Sequence, residues 1–429
     1  MDIDTVAQFL RALIVIIVVA RLLGLLCRRF GQPEVIGEVA GGILLGPTFF
    51  HGEITRAVFP ADIRHALTTL STIGVSLFMF LVGTHLAHGR LRGQGRIALM
   101  LSLGSMVVPF VFGTLFAIGI VGDRSGRTGV LFCIFVGTAM SITAFPVLSR
   151  ILTDRELIDT PIGSLALAAA AIGDVVGWSM LAVLVAFSHG NTPPWRVLLV
   201  LPFVVLLVGV VRPVLARLAA HPPSARPGGR ATKAGLGAGV VVAIAGALVL
   251  SAEATWWMGL HQIFGAFLLG AVLPQTGAAT VRSRVLPWVE RIERIVLLPP
   301  FFVVAGFAVD LSGMNGRAFG LLLLILLVAI GGKLSGAFGA ARLCRLSTRH
   351  SATLAVLVNT RGLTELIVLS VGLQIGLLDQ RLYSLMVLMA LVTTLMPGLL
   401  LPVIYPRWQV VQDREPRQVA TGEPAAVNS

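Results

Sequence analysis

Apolar stretches long enough to cross a bilayer follow one another from about residue 6 to about residue 404, separated by short loops in which arginine is the commonest charge. A hydrocarbon core about 30 Å thick asks for about 20 apolar residues in helical form. Inside it every backbone N–H and C=O must find an internal partner, and a helix supplies one for each. The fold class that follows is an all-α polytopic membrane protein. Hydropathy predicts about thirteen spans, at roughly 6–26, 33–49, 66–87, 97–120, 129–149, 162–187, 197–217, 235–252, 259–275, 295–311, 318–341, 352–376 and 383–404. Composition agrees, since 56% of residues are hydrophobic and only 12% charged, about half the charged share of a soluble domain. No stretch before the C-terminal tail is polar enough to form a soluble domain.

Lysine and arginine divide unevenly between the two sets of loops. Loops after odd-numbered spans, together with the tail, hold about 22, and loops after even-numbered spans about 7. A missed or invented helix would break that alternation, and it holds along the chain. The positive-inside rule therefore sets the expectation of a multi-pass protein of the cell membrane, with the N-terminus outside and the C-terminus cytoplasmic. The acidic start, MDIDT, favours an uncleaved first helix over a signal peptide. The net charge of +13 does not point to nucleic acid, because the arginines sit in separate loops and form no basic domain. Cys27, Cys133 and Cys344 lack metal-ligand spacing, so no disulfide framework, metal site or cofactor is expected.

The longest loop contains HPPSARPGGRATK and reads as a flexible cytoplasmic linker at about 219–234. It divides a membrane domain, residues 1–404, into halves of about 1–220 and about 235–404. The halves hold seven and six spans, room for two repeats of an odd number of spans each, which is the arithmetic of an inverted-topology repeat. Residues 405–429 read as a short disordered tail, too small for a nucleotide-binding regulatory domain.

Asp174 is the only charge in the run from Leu165 to Phe187 and falls near its middle. A carboxylate at the bilayer centre costs roughly 2.5–3.5 kcal/mol on insertion scales, so its presence predicts a function. It can hold a proton or a cation and exchange one for the other. The fifth span, GTAMSITAFPVLSRIL, combines Pro146 with the hydroxyls of Thr138, Ser141 and Thr143. Proline removes a donor and frees the carbonyl of Ile142. The segment reads either as an ordinary proline kink or as a broken helix lining an ion cavity. The twelfth span offers a counterpart in VNTRGLTE, from Val358 to Glu365. Arg361 and Glu365 share a face if the helix continues through Gly362. A self-neutralising structural pair is the plainer reading of Arg361, while Glu365 is also open to guiding a cation. Lys333 in the eleventh span lies too deep to snorkel and needs a counter-charge, a water cavity, a neutral form or backbone carbonyls to bind.

Other polar residues carry less. Glu34 and Glu38 lie near the inner end of the second span, Asp310 and Glu253 at span ends, and His85, His88 and His261 near span termini without ligand company. Trp195, Trp256, Trp257 and Trp288 flank spans, as interfacial anchors do.

In this order the motifs GQPEVIGEVAGGILLGP, LFMFLVGTHL, TAMSITAFPVLSRIL, AAIGDVVGW, LPPFFVVAGFAVDL and VNTRGLTELIVLSVGL resemble the monovalent cation:proton antiporter superfamily. The likeness is to its second branch, the sodium/hydrogen exchanger and potassium-efflux type. The resemblance implies thirteen helices with two inverted five-helix repeats, a core in which spans five and twelve unwind and cross, and a dimerisation domain that makes a homodimer. It implies that Asp174 binds proton and Na+ or K+ in turn and that Thr138, Ser141 and Thr143 belong to the crossing segment. Lys333, Arg361, Glu365 and Asn359 would be supporting groups of the core. One departure is Gly173, where the family commonly has a second Asp, or Asn or Gln. In members with paired aspartates the first pairs with the lysine, so Lys333 loses that partner here and the motif keeps one titratable group.

The expectation is an antiporter without cofactors, its partners being the cation, the proton and the lipid bilayer. Export of a larger organic cation or solute on the same fold, or a cation channel, are the rivals. An intramembrane aspartyl protease would need Gly-x-Gly-Asp, and position 171 is Ala.

Overall fold

The computed structural model describes residues 3–49, 53–86, 95–120, 126–158, 160–188, 196, 199–220, 232–273 and 286–406. The predicted linker falls mostly outside them, as do the tail beyond 406, Trp195 and His88. Among the described residues there are helices and no strands. In order they are α1 (Ile3–Arg29), α2 (Glu34–Leu45), α3 (Glu53–Val58), α4 (Ala61–Leu86), α5 (Gly95–Ile120), α6 (Gly126–Ser141), α7 (Phe145–Asp154) and α8 (Pro161–Ser188). After these, α9 (Val200–Leu206) runs through a π-helical turn, Leu207–Val211, into α10 (Arg212–Ala220). The second half holds α11 (Thr232–Trp257), α12 (Gln262–Val272) and α13 (Leu286–Ile292), the last leading through a π-helical stretch, Glu293–Leu297, into α14 (Leu298–Phe307). It ends with α15 (Gly316–Leu343), α16 (Thr348–Val358), α17 (Leu363–Gln374) and α18 (Gln380–Ile404).

Among the described residues, eight stretches are long and apolar enough to cross a membrane by themselves, and one of these joins α6 to α7. The remaining predicted spans coincide with α11 and with the shorter helices α2, α12, α14, and α16 with α17. Polar caps set several boundaries. Asn315 accepts from the Ala318 amide at 2.9 Å, Ser347 from His350 at 3.2 Å and Asp379 from Leu382 at 2.8 Å, each covering an orphan donor of a first turn.

The core is built on close helix crossings. At Gly42 with Gly306, Gly83 with Gly270, and Gly104 with Gly336, the backbones of α2 and α14, α4 and α12, and α5 and α15 leave no room for a Cβ. Outward faces are apolar instead of polar: Leu201 is 69% exposed, Val205 70% and Leu327 69%. A bilayer, not water, suits such a surface.

Candidate ion site at two broken helices

The fifth and twelfth spans are broken, not kinked. α6 ends at Ser141, residues 142–144 are non-helical, and α7 restarts at Phe145 with Pro146 in its first turn, where a missing N–H costs nothing. α16 ends at Val358, and α17 starts after Gly362, whose φ of +153° no side-chain-bearing residue readily adopts. The two breaks lie against each other. The Ala144 amide donates to the Thr360 carbonyl at 3.1 Å, and the Thr143 hydroxyl to the Val358 carbonyl at 3.0 Å. Thr394 of α18 donates to the Arg361 carbonyl at 2.8 Å and steadies the second break from outside.

The end of α6 exposes carbonyls that the helix cannot satisfy. Arg361 donates to the carbonyls of Ala139, at 3.0 Å, and Met140, and Lys333 donates to that of Ser141. Two cations from the second half of the chain thus meet the negative end of a helix from the first. The Arg361–Glu365 pair forms at 2.9 Å with both side chains 0% exposed. The helical continuity expected to bring them together is absent, because the chain is unwound at Arg361; the pair forms with Glu365 in the first turn of α17. Lys333 reaches no carboxylate within 4.0 Å among the described residues. Its partner is the helix end, the backbone-carbonyl alternative left open by the sequence.

Asp174 is fully buried, and neither carboxylate oxygen has a hydrogen-bond partner. The neighbouring backbone donor is the Phe145 amide, in the positive first turn of α7, and the neighbouring charge is Lys333. Gly177, one turn along α8, packs against Ile142, so this face of α8 looks onto the first break. Gly173 faces Ser102 and Met106 of α5, at 3.6 and 3.5 Å from where its Cβ would stand. α5 therefore fills the ground beside the missing second acid.

The site residues expected from the sequence, Asp174, Thr138, Ser141, Thr143, Lys333, Asn359, Arg361 and Glu365, are all buried. The hydroxyls of Thr138 and Ser141 donate back into α6, to Ile134 and Thr138 carbonyls at 2.8 Å each, leaving their lone pairs as acceptors. Unpartnered oxygens also remain on Asn359, Thr364 and Glu365. Elsewhere, Glu34 is held by Arg150 at 2.9 Å and Arg28 at 3.4 Å. Glu253 is exposed, and the exposed Asp310 accepts from the backbone and hydroxyl of Ser312. Glu293 was missed. In sequence it sits in the charge-rich string ERIER, which reads as interfacial, yet the side chain is 4% exposed.

The family described as sodium/hydrogen exchanger, transmembrane, matches residues 14–405. The chain is 35% identical to the Na(+)/H(+) antiporter NhaS4 of Synechocystis sp., over 95% of this chain and 99% of that one. It is 35% identical to cation/H(+) antiporter 19 of Arabidopsis thaliana and 32% identical to K(+)/H(+) antiporter 1 of Saccharomyces cerevisiae, covering 92% and 93% of this chain. It spans about half the length of these plant and yeast relatives, 49% and 46%. The fold is that of the sodium proton antiporter MjNhaP1 from Methanocaldococcus jannaschii, with a TM-score of 0.63 at 16% identity, over 96% of this chain and 100% of that one. The chain belongs to the sodium/hydrogen exchanger family, a family of multi-pass membrane transporters.

Proposed function

We propose that this protein is a secondary active antiporter that exchanges a monovalent cation, Na+ or K+, for H+, with Asp174 binding the two in turn. The observation that carries the reading is a fully buried carboxylate with both oxygens uncommitted, beside two broken helices. A proton or a cation neutralises it, and either loaded form can move through a low-dielectric barrier. The bare carboxylate bears the cost of a buried charge and crosses poorly. That difference couples the two fluxes without a separate gate. Thr138, Ser141 and Thr143 offer acceptor oxygens to a dehydrating cation. Arg361, Lys333 and Asn359 hold the crossing in shape, and Glu365 balances Arg361.

The same reading includes thirteen spans in two inverted five-helix repeats, spans two to six answering nine to thirteen at an offset of seven. Helix packing supports it, since contacts recur in matched pairs: α4 on α12 with α2 on α14, and α5 on α6 with α15 on α16. The packing of α1 on α2 is likewise answered by α11 on α12. The N-terminus would face outside and the C-terminus the cytoplasm of a cell membrane, and two copies would form a homodimer.

Proton flux in proteoliposomes, with sodium, potassium and lithium compared and membrane potential clamped or free, tests the function. A flux driven by one cation is expected, and its dependence on clamping reports whether charge moves. With Gly173 leaving one acid in the motif, electroneutral exchange is the expected outcome. Voltage-driven cation current without proton movement would replace the exchanger by a channel.

A further inference from the structure

A cavity of about 320 Å³ reaches the first turn of α7, where Phe145, Pro146 and Ser149 line it. The Phe145 amide of that turn is the backbone donor beside Asp174. α4 gives the cavity an apolar wall, and its acidic lining is Glu290 and Glu293. At about 30 Å³ per water molecule it has room for a cation that keeps part of its hydration shell. Its surroundings belong to the arginine-rich end of the bundle, where Glu34 pairs with Arg150.

Glu293 is the unusual lining group. It is 4% exposed, its Oε1 accepts no hydrogen bond, and no cationic side chain approaches within 4.0 Å among the described residues. A buried, uncompensated carboxylate is costly, and inside membranes such groups mark ion paths. The arginines around it are otherwise engaged. Arg150 pairs with Glu34 at 2.9 Å, and Arg21 donates to the Arg294 carbonyl at 3.2 Å, while the Arg294 side chain is exposed. The nearby acids Glu290 and Glu38 add negative potential, which the exposed Arg294 offsets in part without pairing to Glu293. Glu293 opens the π-helical stretch Glu293–Leu297, a widened turn that shifts the helical register and often marks functional positions. Arg291 and Arg294 stay exposed on the same turn while Glu293 is buried.

We propose that Glu293, with Glu290 and Ser149 as neighbours, is a second monovalent-cation site, a waiting position from which a cation passes the Phe145–Pro146 turn to Asp174. It takes a partly hydrated cation, which an unpaired carboxylate neutralises one for one. The proposal rests on the exchange reading, and the test separates the two. In sided vesicles of the full chain, Glu293→Gln raises the half-saturating cation concentration about tenfold for cation supplied at the arginine-rich face, with the maximal rate kept within about twofold. Cation supplied at the opposite face is used as in the wild type, and Glu293→Asp behaves like the wild type from both. An unchanged half-saturation, or a rise that is equal from both faces, overturns the waiting site. A wild-type protein without cation-dependent proton flux would instead sink the exchange reading. Equilibrium binding of radiolabelled sodium and rubidium then decides the site. Glu293→Gln is expected to lose a class of bound cation that Asp174→Asn keeps, and binding by Glu293→Gln that is unchanged from the wild type overturns it.

Discussion

At the first break, the three carbonyls that end α6 accept from Arg361 and Lys333, and the unwound segment itself carries no charge. At the second, Gly362 turns the chain at φ +153°, and the segment holds Arg361 with Glu365 one turn on. The second break thus supplies the cations that quench the negative end of the first. What is left over at the first break is the positive start of α7, facing Asp174. The two fully buried carboxylates differ accordingly. Glu365 has a guanidinium at 2.9 Å, whereas Asp174 has no hydrogen bond on either oxygen. A group already neutralised gains little from a passing ion; an uncommitted one gains a partner. On the proposed exchange reading, the first half carries the ligand and the second half the scaffold.

The strongest way to break that division is Asp174→Asn. Cation-dependent proton flux in proteoliposomes is expected to fall at least about a hundredfold while the thermal stability is kept, because an amide holds no exchangeable charge. Retained exchange would move the site to Glu365. Next, Arg361→Met strands Glu365 and two carbonyls of α6, and removing one partner of a buried pair costs about 3–5 kcal/mol. A fall in melting temperature measures it, and Arg361→Met with Glu365→Leu should recover much of the loss if the pair is scaffold alone.

Gly362→Ala asks whether the second break needs its left-handed residue. A Cβ there would meet Val147 of α7 at 2.7 Å, so a loss of about 1–3 kcal/mol is expected, again by thermal unfolding. Thr143→Val removes one hydrogen bond between the breaks and should cost about 0.5–1.5 kcal/mol of stability, with cation affinity lowered by the loss of one acceptor oxygen. The smallest effect belongs to Gly173→Ala. Its Cβ would stand 3.5 Å from Met106 and 3.6 Å from Ser102, ordinary contacts, so stability and flux should both stay near wild type. A large change there would mean that the missing second acid is itself a requirement of the site.

Sequence was sufficient for the parts that follow from solvent and from local chemistry. Apolar runs of spanning length leave a backbone only helices to form, and an acid alone in such a run announces itself by its cost. Pro146 and Gly362 marked both interruptions, and Arg361 with Glu365 was legible as a pair, although the helical continuity on which their shared face was conditional is absent. Tertiary structure decided everything that depends on which helix ends meet. That Lys333 answers the carbonyl of Ser141, 192 residues away in sequence, is set by the crossing and by the Gly104–Gly336 approach of α5 and α15. The burial of Glu293 is decided in the same way. Its neighbours in the chain read as an interfacial charge string, and the π-helical turn packed against α4 puts that carboxylate inside. Periodicity fixes which residues avoid water; long-range packing fixes which charges are left without a partner.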